Sequence, residues 1–229
     1  MIELAVPLTP KQIQIAGELH DTLEQWRLSD NALRRLHRAL PEFDEEACLL
    51  KSVAVNQLYG TQVLAIIPMA KNVQRVLSEP GATEKGTDLV DQIATLKLND
   101  KTRHCTSFAA KFCHFFVDEN GFPIYDDAAK QAIKLHLGDR YSSDNSKPYA
   151  TFCDNFGRLR AAIGFRGSPR AMDCYLWIVG MYMKWNKERL RPNPKISVEL
   201  RSLFERPSNE QKVLLRKLLP NCIRTEWDS

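Results

Sequence analysis

Apolar residues in this chain recur at three- and four-residue spacing almost from end to end, and no stretch shows convincing apolar–polar alternation. A 3.6-residue period gathers such residues onto one face of a helix, whereas a strand would scatter them over both faces. The expected fold class is therefore all-α, with roughly nine helices set by the recurring period. Leu8-Thr9-Pro10-Lys11 opens the first, with a capping Thr and Pro at the first helical position. Ile13, Ala16, Leu19, Leu23 and Trp26 then predict one amphipathic helix over residues 10–27. Ser29-Asp30 is read as opening a second, ended by Pro41.

Phe43 to Val55 reads as a helix that is apolar nearly all round, which places it inside the fold. It runs into the polar turn Asn56-Gln57-Leu58-Tyr59-Gly60-Thr61 and then a further apolar helix from Gln62 to Leu77. Ser78 to Thr87 is a loop by composition. Asp88 is expected to cap a short helix with Leu89, Ile93 and Leu96 on one side, followed by a polar connection from Leu98 to Arg103. Thr106 or Ser107 would cap a helix from Phe108 to Val117. Later helices start at Asp126, near Tyr149 and at Ser168-Pro169, and one or two more follow within residues 195–220. The one boundary legible in the composition is Pro192–Pro194, dividing a helical domain (1–194) from a C-terminal helical appendage (195–229).

Composition narrows the class without naming a function. The 229 residues carry a net charge of +4, which permits a nucleic-acid partner and does not require one. Lys97, Lys101, Arg103 and His104 form one basic cluster; Arg158, Arg160, Arg166 and Arg170 form another. The six cysteines are scattered with no Cys-x-x-Cys pair, so no metal site or cofactor is expected. No apolar run approaches the roughly 20 residues of a membrane span. Met1-Ile2-Glu3-Leu4 lacks the start of a signal peptide, so a cytoplasmic, monomeric protein with no membrane association is expected.

Chemistry centres on Phe122-Pro123-Ile124-Tyr125-Asp126, an apolar approach that ends in a carboxylate at a helix start. On its own this is a capped helix, since Asp is among the best N-cap residues. The same placement fixes the carboxylate's direction, and the helix dipole stabilises negative charge there. Asp127 competes for the role, but adjacent residues in a first helical turn point apart.

A buried helix ending at Gln57, a short helix, a polar connection, a second helix and then the Pro-containing approach to Asp126 follow in that order. This order resembles the helix–hairpin–helix superfamily of DNA glycosylases, in particular its 8-oxoguanine glycosylase-like branch, over about residues 44–182. The resemblance implies a two-lobed helical fold with the active-site cleft between helical subdomains, acting on double-stranded DNA that carries a damaged or modified base. It implies Asp126 as the catalytic carboxylate and Gln57 as the residue pushed into the duplex, with Leu58 or Tyr59 filling the gap left by the flipped base. Tyr59 could instead stack on the base or pack on its own turn.

Two departures from that family stand in the sequence. Its hairpin usually reads Leu-Pro-Gly-Val-Gly, whereas Leu98 to Arg103 has no glycine. Phosphate contacts would then fall to Lys101, Arg103 and Ser107 at the next helix start. Bifunctional members carry a lysine 18 or 19 positions before the aspartate, where this chain has Phe108 and Ser107. Lys111 lies one helical turn beyond Ser107; it is a candidate catalytic amine if it approaches the pocket, and otherwise a helix lysine reaching solvent. The expected activity is a monofunctional glycosylase serving base-excision repair or defence against modified-base DNA. The alternative is a non-catalytic helical DNA-binding protein on the same scaffold.

Overall fold

A computed structural model describes residues 3–99, 101–191 and 195–224. Eleven α-helices and one two-stranded hairpin occur among these residues. In chain order they are α1 (Pro10–Asp21), α2 (Glu24–Ala39), α3 (Glu45–Leu58), α4 (Ile66–Leu77) and α5 (Thr87–Ala94). Then come β1 (Thr95–Leu98), β2 (Lys101–His104), α6 (Thr106–Phe116), α7 (Asp127–Leu137) and α8 (Pro148–Ala162). The last three are α9 (Pro169–Glu188), α10 (Val198–Glu205) and α11 (Asn209–Leu218). The all-α expectation holds.

The chain divides into two compact units built from interleaved segments. Unit 1 takes residues 1–27, 126–142 and 155–229; unit 2 takes 28–125 and 143–154. In unit 1, α7 and α1 both pack on α9, and α11 packs on α1. Its core includes Ile13, Leu19, Ile133, Met172, Tyr175 and Val179, all with no exposed surface. Residues 195–224, read from sequence as an appendage, belong to this unit, with Leu200, Leu203 and Phe204 of α10 and Leu215 and Leu218 of α11 buried. The boundary read at Pro192–Pro194 lies outside the described residues.

In unit 2, α3 packs on α4 and α6, and α5 packs on α6 and α4. Nine of the eleven residues of α6, Phe108 to Phe116, are buried, so this helix forms the unit's centre. Phe108, Phe112 and Phe116 stack along it at ring separations of 6.0 and 5.0 Å.

Four local expectations are corrected. The helix read over residues 10–27 breaks at Thr22, whose hydroxyl donates to Leu19 O at 2.7 Å and closes α1. Ser29 and Asp30, read as opening a helix, are 7% and 3% exposed inside α2. Helix α3 is not apolar all round: Lys51 and Ser52 have no exposed surface, while Leu50 and Val53 are 52% and 45% exposed. The caps read at Asp88 and at Thr106 or Ser107 are instead Gly86 for α5 and Cys105 for α6.

The fifth correction alters the region that should bind phosphate. Residues 95–104 form an antiparallel β-hairpin in which Leu98 pairs with Lys101, Lys97 with Thr102, Leu96 with Arg103 and Thr95 with His104. The turn is permitted by Asn99 at φ 49°, a left-handed conformation that Asn adopts more readily than most side chains. Leu96 therefore lies in β1 and not on the side of α5.

Candidate functional site

The turn that follows α3 is built by one side chain. Asn56 Oδ1 accepts from the Thr61 hydroxyl and from Val63 N, both at 2.8 Å, and Asn56 Nδ2 donates to Val63 O at 3.1 Å. Those three bonds, with Gly60 and Gln62 both near φ +57°, fold the chain back toward α4. Gln57 and Leu58, read from sequence as part of that turn, lie in the last turn of α3, Gln57 exposed and Leu58 half-buried. Tyr59 is engaged within unit 2: its hydroxyl donates to Asp30 Oδ1, and its ring lies 5.2 Å from that of Phe115.

Helix α6 contributes Ser107, Lys111 and His114 on one face. Lys111 is 4% exposed, so it does not reach solvent. Its amine donates to Ser107 Oγ at 2.8 Å and to Tyr125 O at 3.3 Å. His114 Nδ1 donates to Phe122 O at 2.9 Å. The approach segment is thereby tied to α6 at both ends, by Phe122 O and Tyr125 O. Its flanks are aromatic: Tyr125 sits 5.3 Å from Phe152, and the Tyr149 hydroxyl donates to Pro123 O at 3.1 Å.

In unit 1, Asp126 is the N-cap of α7, as the sequence indicated. Its backbone is extended (φ −154°, ψ 172°), and Oδ1 accepts from Ala129 N at 2.8 Å. This bond fixes the direction of the carboxyl group. Asp127 diverges as expected, its side chain 94% exposed and paired with Lys130 at 2.6 Å.

Lys101 and Arg103 are both exposed on β2. Residues paired across an antiparallel ladder share a face, so Lys101 and Arg103 lie with Leu98 and Leu96, and Lys97 lies opposite with Thr102. The basic cluster read from sequence is thus split between two faces of the hairpin. A groove of about 900 Å³ lies between α4, α5 and β1, lined among others by Lys71, Arg75, Asp88, Asp91 and Lys97. Burial, then the nearby Asp88 carboxylate, raises the Asp91 pKa. Of the residues read from sequence as candidates for catalysis or phosphate contact, Lys97 of the basic cluster lines this groove, and Asp126, Lys111, Gln57, Lys101 and Arg103 do not.

Sequence reasoning missed a polar chain in unit 2 formed by Asp30, Arg34 and Glu119. Arg34 grips Glu119 through Nη2 at 2.5 Å and Nε at 3.4 Å, and reaches Asp30 Oδ2 at 3.7 Å. The Asp30–Arg34 spacing of four residues was the available signal. It also missed Lys51, whose amine donates to Glu42 O at 2.6 Å and lies 4.0 Å above the Phe43 ring. Burial pulls the Lys51 pKa down and pushes the neighbouring Cys48 thiol up to about 11. All six cysteines are free thiols. Among the described residues, no group of three or more His, Cys, Asp or Glu is placed to hold a metal, and no helix is long and apolar enough to cross a membrane.

A family model described as an N-terminal domain matches residues 11–120, a span that includes Gln57, Lys101, Arg103, Ser107 and Lys111 and stops short of Asp126. Neither the curated proteins nor the solved structures contain a match to this chain.

Proposed function

We propose that this protein is a DNA glycosylase that flips a damaged or modified base out of the duplex and hydrolyses its N-glycosidic bond. The observation that carries the reading is Asp126, a carboxylate held in direction by Ala129 N at the start of α7. The preceding residue's carbonyl accepts from buried Lys111. Breaking an N-glycosidic bond builds positive charge on the sugar, and a fixed carboxylate stabilises that charge or activates the attacking water. Gln57, exposed at the C-terminal end of α3 beside the turn braced by Asn56, is suited to enter the duplex and offset the few kcal/mol of base unstacking. Tyr59 supports that turn from inside through Asp30 and Phe115. Lys101, Arg103 and Ser107 are the residues proposed to meet phosphates.

The chemistry is proposed to be monofunctional. Lys111 is engaged with Ser107 Oγ and Tyr125 O, where it braces the approach to Asp126. Asp126→Asn tests the reading cleanly, because Asn caps a helix as well as Asp does and the change removes only the charge. Base release from duplexes carrying varied modified bases, read as alkali-labile sites, should fall about 100- to 10,000-fold. DNA affinity should persist. Activity retained in Asp126→Asn would refute the assignment.

One observation favours a second reading, a non-catalytic helical DNA-binding protein. Residues 95–104 form a β-hairpin where the resemblance calls for a glycine-rich phosphate loop. That reading predicts salt-dependent DNA binding with no base released from any substrate.

A further inference from the structure

The polar chain in unit 2 joins the two segments that the proposed chemistry needs. Tyr59, which closes the Gln57 turn, donates to Asp30, and Asp30 pairs with Arg34 at 3.7 Å. Arg34 holds Glu119 through two nitrogens, and Glu119 Oε1 lies 3.8 Å from His114 Nε2. His114 Nδ1 then donates to Phe122 O, the first residue of the approach to Asp126. Asp30 and His114, two members of this chain, are 3% and 1% exposed. Phe115 packs between them, its ring 5.2 Å from Tyr59 and 4.8 Å from His114. Arg34 and Glu119 keep 36% and 35% of their side-chain surface exposed, and their two-pronged contact fixes orientation as well as distance.

We propose that Arg34 is a positioning residue that holds the Gln57 turn and the Phe122–Tyr125 segment at one fixed spacing within unit 2. Its consequence for catalysis rests on the glycosylase reading. Insertion of Gln57 and presentation of the approach to Asp126 are then mechanically linked, and loosening one end loosens the other. Arg34 touches no reacting atom in this account.

Two measurements test the inference, the first of them without reference to the activity. The first is amide hydrogen exchange of the full chain, comparing wild type with Tyr59→Phe and Arg34→Lys. Tyr59→Phe removes one hydroxyl and should speed exchange about three- to tenfold at residues 56–63 and also at 118–124, on the far side of the Arg34–Glu119 contact. Acceleration confined to residues 56–63 would overturn the proposal, whatever the protein does to DNA. The second is single-turnover base release. Arg34→Lys keeps the charge but loses the two-pronged grip, and should slow the chemical step roughly 10- to 100-fold with DNA affinity changed less than about twofold. Arg34→Met should be slower than Arg34→Lys. Equal rates in wild type and Arg34→Lys would remove the catalytic role. A wild-type protein that releases no base from any substrate would instead sink the glycosylase reading, leaving the exchange result to decide the coupling.

Discussion

Gly180 of α9 faces the first turn of α7, the turn that Asp126 caps. A Cβ at Gly180 would stand 2.0 Å from Ala128 O, 2.4 Å from Ala128 C and 2.6 Å from Ala128 Cα. All three are backbone atoms, so no side-chain rotation relieves the clash. Gly180→Ala therefore sets two effects against each other. Ala gains ~1 kcal/mol over Gly in a helix interior. Overpacking a close contact costs about 1–3 kcal/mol, and a backbone neighbour places this case at the upper end or beyond. The net expectation is a loss of about 2 kcal/mol, read as a lower midpoint in urea with an unchanged slope.

The same displacement has a functional side. Helix α7 must move off α9 to admit the methyl group, and Ala128 lies two residues from Asp126. Under the proposed chemistry the rate of base release falls while DNA affinity holds. A Gly180→Ala protein equal to or more stable than wild type would refute the reasoning, because propensity alone would then be deciding the outcome and the helices could not be in such close contact.

Three further outcomes follow from buried polar groups. Lys51→Met replaces a buried cation with an apolar chain of similar length; the freed Glu42 carbonyl belongs to an exposed residue, so thermal denaturation should show stability unchanged or raised by ~1–3 kcal/mol. His136 is fully buried between Val6 O and the Tyr175 hydroxyl, and burial holds its pKa below the usual histidine value. The unfolded chain thus binds a proton at His136 before the folded one does. Stability should fall as pH drops below about 6.5, by up to about 1.4 kcal/mol per pH unit, and His136→Gln should flatten that slope in pH-dependent urea titrations. Asn56→Ala removes three bonds from the turn and should cost about 2–3 kcal/mol, with base release reduced as far as by Gln57→Ala if the turn is the inserting element.

Helix existence was legible because it depends on periodicity, and periodicity survives without tertiary information. Three caps with a side-chain bond, Thr9, Asp126 and Ser168, were legible because each stands where a local pattern puts it, whereas Ser197 and Ser208 were not singled out. Boundaries failed where a tertiary partner overrode the local pattern. Asp30 looks like a cap, yet it is consumed by Arg34 and Tyr59, the latter 29 residues away. The hairpin was missed although its signal is present: Thr95-Leu96-Lys97-Leu98 alternates and Asn99-Asp100 suits a tight turn. Four residues of alternation beside a helix are easily absorbed into that helix's own period, as Leu96 was.

The candidate site divides along the same line. Asp126 could be found because capping is a local act, read from one carboxylate and the helix it opens. Lys111 could be placed on the face of Ser107, but its burial could not, because that depends on the Phe122–Tyr125 segment returning to lie against α6 fourteen residues later. Arg34 illustrates the limit most clearly. On α2 it is one of several arginines at helical spacing; Asp30 four residues before it was its one local signal, and its main partner, Glu119, lies 85 residues on. A contact that joins segments so far apart in sequence leaves at most a weak local trace, here the i,i+4 spacing from Asp30. Gln57 stands at the opposite extreme. Its exposure is legible, and whether it enters DNA depends on a partner that only a binding experiment supplies.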